Sequence, residues 1–138
     1  TVIAGPQPEL YWDVEGEEAR IEMNGYVKDV RPHYERAAVV IIPTLESAGT
    51  NLKALEAAAM GRAIVSTSSG VAGLGLIHAE SVWIADDAAG FAEGVQQLME
   101  DPGLRARLAN SARAHVERHY GWAALARLQA DLWRELAR

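Results

Sequence analysis

Short apolar runs alternate with helically spaced apolar positions along this chain. Residues 38–42 are continuously apolar and rich in β-branched side chains, a pattern typical of a strand buried on both faces of a parallel sheet. Apolar residues then recur at helical spacing at Leu52, Leu55 and Ala59. Gly61 follows where a helix C-terminal cap belongs, and a second apolar run begins at Ala63. Residues 38–65 therefore predict a β–α–β unit.

The same two patterns predict the remaining elements. Further strands are predicted at residues 1–5, 21–23 and 82–85, and a short helix capped by Asp29 at residues 30–37. Asp86 and Asp87 are predicted to cap a third helix, and the pair Asp101-Pro102 a fourth. The last helix is predicted to bury one apolar side, consisting of Trp122, Leu125, Leu128, Leu132 and Leu136. This order predicts an α/β, Rossmann-like, doubly wound parallel sheet of about five strands, with helices on both faces and C-terminal helices.

Composition excludes several classes of protein. The 138 residues fit one domain, and the net charge of −6 without clustered Lys or Arg argues against a nucleic-acid partner. The absence of cysteine excludes disulfides and thiolate chemistry. No signal peptide or membrane-length apolar run is evident, so we expect a cytoplasmic domain. The chain begins at Thr1 rather than Met, and we expect it to be a piece of a longer protein.

The loop between the first two elements of the β–α–β unit carries the candidate chemistry. Small residues at positions 47–51 lead into a helix whose first backbone N–H groups lack partners within the helix, and such ends bind anions, phosphate above all. In open parallel sheets ligands bind at the carboxyl ends of strands, where this loop must lie. Glu56 falls within this helix, where its carboxylate could lie near the same loop and bind ribose hydroxyls. Lys53, near the start of the helix, could reach a phosphate. A plain turn glycine at Gly49 and solvated side chains at Lys53 and Glu56 are the alternative.

Other candidate chemistry is weaker. Residues 66–75 form a Gly-rich loop whose order, G-x-x-G-x-G, is the reverse of the dinucleotide fingerprint. The serines of this loop lack the G-x-S-x-G elbow of hydrolases. His115 and His119 have the spacing of a metal pair but no third ligand nearby in the sequence, so we expect surface histidines and no metal site.

Several segments together resemble one family. Residues 2–6, 24–29 and 38–43 look like its conserved strand-and-turn segments, and residues 55–67 are similar to its pattern "LEAMAxGxPVVaT". The tail from Asp101 to Trp122 resembles its closing helices. These segments resemble the C-terminal, nucleotide-sugar-binding half of the retaining glycosyltransferases of group 1, which have two facing Rossmann-like domains (the GT-B architecture).

The resemblance implies a bacterial transferase that moves a sugar from a nucleotide-sugar donor to a glycan, lipid or small-molecule acceptor, with no metal or other cofactor. By position in the motif, Glu56 would hold the ribose hydroxyls of the nucleotide. Backbone N–H groups at Gly49, Thr50 and Asn51 would face the diphosphate and sugar. Gly25, Tyr26 and Val27 would border the base.

The chain departs from the family pattern at two places. Ala48 stands where the family usually has a glutamate that holds the donor sugar, and Glu46 either substitutes for it or is merely solvated. A first strand and helix, and the N-terminal acceptor domain, would precede Thr1. We therefore expect one donor-binding domain over residues 1–138, inactive by itself, and a homodimer or strand swap that covers the exposed strand edges. In a longer protein, membrane association is also expected. The alternative is a non-catalytic nucleotide-binding or assembly module.

Overall fold

The computed structural model describes residues 24–47 and 49–137. The chain divides into two compact units, Thr1–Pro32 and His33–Arg138, and each is described by itself. In the first unit, Gly25 has a positive φ of 55°. The Asp29 carboxylate accepts a 3.0 Å hydrogen bond from the backbone N–H of Arg31 and pairs with its guanidinium at 2.8 Å. Asp29 therefore stabilises the start of the first helix, as predicted.

The described residues form three strands and five α-helices. The strands are β1 (Val39–Ile42), β2 (Ala63–Ser66) and β3 (Trp83–Ile84). The helices are α1 (Arg31–Arg36), α2 (Leu52–Ala59), α3 (Ala88–Glu100), α4 (Pro102–Tyr120) and α5 (Trp122–Leu136). A 3₁₀ turn at Ser69–Val71 follows β2.

The sheet is parallel, in the order β1-β2-β3. Val39 of β1 is in register with Ala63 of β2, and Val65 of β2 with Trp83 of β3. The β–α–β unit predicted over residues 38–65 is confirmed. The predicted count of about five strands is wrong for the described part of the chain, which has three. The predicted strands at residues 1–5 and 21–23 lie outside the described residues.

Helices cover both faces of the sheet, as predicted. All four residues of β2 are buried, and because side chains alternate along a strand they point to two different cores. Ile64 lies in the first core with Ala54, Ala57 and Ala58 of α2 and with Ala112 and Val116 of α4. Ala63 and Val65 lie in the second core with Leu98 of α3 and Leu108 of α4. Helix α4 therefore contributes to both cores and joins the two layers.

The apolar positions that recur at helical spacing in α2 are not the ones that the helix buries. The helix buries Ala54, Ala57 and Ala58, whereas Leu52 is exposed. Small side chains on the buried face let the α2 backbone approach the sheet and α4 closely, and larger ones at these positions would hold it away.

The C-terminal end of α2 is as predicted. Gly61 has a φ of 64°, and the Arg62 N–H donates to the Ala57 carbonyl at 2.9 Å, which is a Schellman cap.

The prediction that α5 buries its apolar side is also wrong. None of its fifteen described residues is buried, and Trp122 is 89% exposed. Periodic apolar side chains show only that a helix has an apolar side, and here that side stays largely exposed among the described residues. The starts of α3 and α4 match their caps. Asp87 accepts from the Gly90 N–H, and Asp101 from the Leu104 N–H, with Pro102 at the first helical position.

Candidate functional site

Hydrogen bonds link the loops that follow the three strands at the carboxyl edge of the sheet. The Thr67 hydroxyl, after β2, donates to the backbone carbonyl of Thr44, after β1. Ser68 donates through both its backbone N–H and its hydroxyl to the Asp86 carboxylate, after β3, each at 2.7 Å. The three loops therefore form one connected surface where ligands of open parallel sheets bind.

Asn51, the residue before α2, supplies the link nearest to the predicted phosphate loop. Its side chain is buried, with 8% of the residue exposed. The carboxamide donates to the Ser69 carbonyl at 3.0 Å and to the Ser47 hydroxyl at 3.1 Å. Asn51 holds the N-cap position of α2 but makes no side-chain cap hydrogen bond there. The start of α2 therefore carries no side-chain cap.

The predicted diphosphate contacts lie on open surface beside this link. Gly49, Thr50 and Lys53 are exposed. A Cβ added at Gly49 would meet no atom within 4 Å, so the space beside this residue is open. Ala48, the residue at the family's glutamate position, lies outside the described residues.

Glu56 is exposed on α2 and contacts a tyrosine of α1. Its Oε2 accepts a 3.1 Å hydrogen bond from the Tyr34 hydroxyl, which also lies 3.4 Å from the Lys53 carbonyl oxygen. Burial raises the pKa of Tyr34, and the negative charge and hydrogen bond of Glu56 raise it further. Tyr34 therefore remains a neutral donor throughout the physiological pH range.

The remaining predicted site residues are Glu46 and the three residues predicted to border the base. Glu46 is exposed, and no hydrogen bond or ion pair to its carboxylate occurs within the described part of the chain. Gly25, Tyr26 and Val27 belong to the first unit, where Tyr26 is 80% exposed.

Comparison with known proteins decides the family. The family profile described as glycosyl transferases group 1 matches residues 1–101. This chain belongs to that family. A D-inositol 3-phosphate glycosyltransferase of Streptomyces bingchenggensis is 34% identical over 110 residues, which are 76% of this chain and 23% of that protein.

Two solved structures have a fold similar to that of this chain. The sucrose-phosphate synthase of Thermosynechococcus elongatus matches with a TM-score of 0.74 and 24% identity, over 86% of this chain and 31% of that one. The C-terminal domain of a glycosyl transferase group 1 family protein from Francisella tularensis matches with a TM-score of 0.65 and 22% identity, over 72% and 53%. The predicted fold, the C-terminal Rossmann-like half of a GT-B glycosyltransferase, is confirmed.

Sequence reasoning missed two residues of this group 1 glycosyltransferase chain. Asp86 was predicted as a helix cap, but only Asp87 caps α3, and the Asp86 carboxylate instead accepts both hydrogen bonds from Ser68. These bonds lower the pKa of the Asp86 carboxyl below its ordinary value. Tyr34 carries no local signal at all, because it lies 22 residues before Glu56 in the sequence.

The remaining candidates have structural explanations. His115 donates through Nε2 to the Leu74 carbonyl at 2.8 Å, and its ring lies 4.6 Å from that of His119. Among residues 24–47 and 49–137, no three His, Cys, Asp or Glu side chains lie close enough to form a metal site. No helix in the described ranges is long and apolar enough to cross a membrane.

A cleft of about 420 Å³ lies away from these loops and is lined by Arg62 and Arg105, among others. The arginines that line this cleft are already engaged in hydrogen bonds. Arg62 donates to the carbonyls of Glu35, Ala37 and Met60, and Arg105 to those of Leu98 and Met99. These carbonyls lie at the C-terminal ends of helices, where cations are favoured. We therefore assign the arginines a structural role.

Proposed function

We propose that this chain is the donor-binding domain of a retaining, hexosyltransferase-like glycosyltransferase. The enzyme would transfer a sugar from a nucleoside diphosphate donor to a glycan, lipid or small-molecule acceptor. The observation that carries the proposal is the start of α2. In a chain of this family, it lies at the carboxyl edge of the sheet without a side-chain cap, and Glu56 is exposed one turn further on.

The chemistry of such a site is the stabilisation of a leaving diphosphate. Backbone N–H groups at Gly49, Thr50 and Asn51 would donate to its oxygens, and the dipole of α2 would favour its negative charge. Lys53, exposed on the first turn, would add a positive charge. Interactions of this kind accelerate the reaction because they strengthen as charge develops on the leaving group. The proposal involves no metal and no other cofactor.

The nucleoside would lie along α2. Leu52 and Glu56 are four residues apart, which is about 6 Å along a helix axis, and a ribose joined to a phosphate spans such a length. The Glu56 carboxylate would accept hydrogen bonds from the ribose hydroxyls. Gly25, Tyr26 and Val27 would border the base, and Glu46 would contact the donor sugar in place of the missing family glutamate.

Turnover would require more than this chain. The chain spans about a quarter of the length of the curated relative that it matches. We expect catalysis only when an acceptor-binding domain is also present. The isolated chain would bind nucleotide weakly and transfer no sugar.

Calorimetric titration of the chain with UDP, GDP and ADP tests the donor site. We expect one nucleotide to bind, and Glu56→Ala to weaken that binding at least tenfold. Glu93→Ala is the matched control, because Glu93 is also an exposed glutamate within a helix, on α3, and should leave the affinity unchanged. Equal losses in the two variants, or no binding of any nucleotide, would contradict the proposal.

Ala48 supports a second candidate, a nucleotide-binding or assembly module without catalysis. The family's sugar-binding glutamate is absent from the sequence at that position. A protein that contains both domains separates the two candidates. Release of nucleotide from a nucleotide-sugar favours the enzyme, whereas tight nucleotide binding with no release under any acceptor condition favours the module.

A further inference from the structure

The Tyr34 hydroxyl donates a hydrogen bond to the Glu56 carboxylate. Among the described residues, Tyr34 is the side chain that donates to this carboxylate. The bond joins α1 to α2 and leaves Oε1 of Glu56 without a partner among those residues. A glutamate on a helix surface has several flexible torsions, so an unrestrained carboxylate would occupy many positions. The bond from Tyr34 selects one of them.

Tyr34 is itself held in place. Its ring packs against the buried residues of the first core. Its hydroxyl also lies near the Lys53 carbonyl, one turn before Glu56 on the same side of α2. The donor is therefore fixed before any ligand arrives, which is the requirement for a preorganised contact.

We propose that Tyr34 is a positioning residue for ribose recognition. It would hold one oxygen of Glu56 and leave the other directed to the ribose hydroxyls of the nucleotide. This inference rests on the proposed function and adds to it the residue that orients the ribose acceptor. Tyr34 itself need not touch the ligand.

The test compares a ribonucleoside diphosphate with its 2′,3′-dideoxy counterpart in calorimetric titrations. The wild-type chain should prefer the ribose form, and Tyr34→Phe should reduce that preference about fivefold, the typical net effect of one hydrogen bond. A purely structural role for Tyr34 would lower the affinity for both nucleotides equally and leave their ratio unchanged.

Tyr120→Phe is the matched control. Tyr120 packs against the same core and donates through its hydroxyl to the Gly73 carbonyl at 3.2 Å, away from Glu56. This variant should leave the ribose preference intact. Tyr34→Phe keeps the packed ring, and circular dichroism checks that both variants fold.

Glu56→Gln provides a second arm that leaves Tyr34 in place. It should reduce the ribose preference by itself, and adding Tyr34→Phe should then cause little further loss, because both changes act on one contact. An unchanged or increased ribose preference in Tyr34→Phe would overturn the inference while the donor site stands. Absence of nucleotide binding by the wild-type chain would overturn the proposed function and the inference together.

Discussion

The Asn51 carboxamide donates a 3.0 Å hydrogen bond to the backbone carbonyl of Ser69, so the loop after β1 is held to the loop after β2. Asparagine at an N-cap usually turns its oxygen to the first amides of its own helix. Here the side chain is directed to a neighbouring loop, and it also donates to Ser47. One of the hydrogen bonds that join these two loops thus comes from a residue that would otherwise cap α2.

Removing the Asn51 side chain should release both loops. Because Asn51→Ala removes two side-chain hydrogen bonds of a buried residue, we expect the free energy of unfolding to fall by about 1–3 kcal/mol. Urea denaturation measures this change, and amide hydrogen exchange should become faster in residues 44–51 and 67–71. Thr50→Ala is the control, because Thr50 is exposed, and should change the free energy of unfolding by less than about 0.5 kcal/mol.

Asn51→Asp separates the two roles of this position. Aspartate is as good an N-cap as asparagine, but its carboxylate cannot donate to the Ser69 carbonyl. We expect the amide hydrogen exchange of residues 67–71 to be as fast in Asn51→Asp as in Asn51→Ala. Full protection there would show that capping of α2, and not the link to Ser69, orders the loops.

Asp86 should make the stability depend on acid pH. Its carboxyl pKa is lowered by hydrogen bonds from Ser68, so the ionised form contributes stability above the unfolded pKa, about 4. That contribution is lost as the pH falls through the lower folded pKa. The difference in thermal midpoint between wild type and Asp86→Ala should therefore be present at pH 6 and shrink towards pH 2. A difference that stays constant over this range would contradict the assignment.

Gly94 should not tolerate a side chain. An added Cβ would overlap the Trp83 ring, because α3 lies directly against β3 at this point. We expect Gly94→Ala to destabilise the protein by about 1–3 kcal/mol, the usual cost of overpacking, in spite of the better helix propensity of alanine. Gly49→Ala, which places its Cβ in open space, should change the free energy of unfolding by less than about 0.5 kcal/mol in the same urea titration.

Two leucines test the burial of α4 against the exposure of α5. Leu108 is fully buried, at 0% exposure, whereas Leu128 is 69% exposed. Leu108→Ala should lower the free energy of unfolding by about 2–5 kcal/mol. Leu128→Ala should have an effect below about 0.5 kcal/mol, and a loss as large as that of Leu108→Ala would show that α5 is covered in solution.

Self-association remains a prediction from the sequence. Exposed strand edges invite pairing with another chain, so we expect a homodimer or a strand-swapped arrangement. Sedimentation velocity over a wide range of concentrations should show the sedimentation coefficient rise with concentration. A single monomeric species at every concentration would count against it.

Local signals in the sequence determined the order of elements and several of their ends. The apolar run at residues 38–42 predicted the strand β1 correctly, but its predicted burial on both faces is wrong. In the described sheet β1 is an edge strand, and Ile41 is 50% exposed. The caps at Gly61, Asp87 and Asp101 were also correct. Each acts within one helical turn, so its effect depends on residues that are close in the sequence. The residues of the family motif are also close in the sequence, so the motif could indicate Glu56 and the loop before α2 as candidate site residues.

Only the tertiary structure decided which side chains of those elements are buried and which contact one another. Glu56 meets Tyr34 across 22 residues, and Asp86 meets Ser68 across 18. Contacts of this range depend on how helices and strands pack, and periodicity along one element carries no information about its partner. The same limit explains α2, which buries alanines rather than Leu52, and α5, which leaves its apolar side exposed. The sequence by itself determined which residues could form a site, and packing decided which of them are held in position.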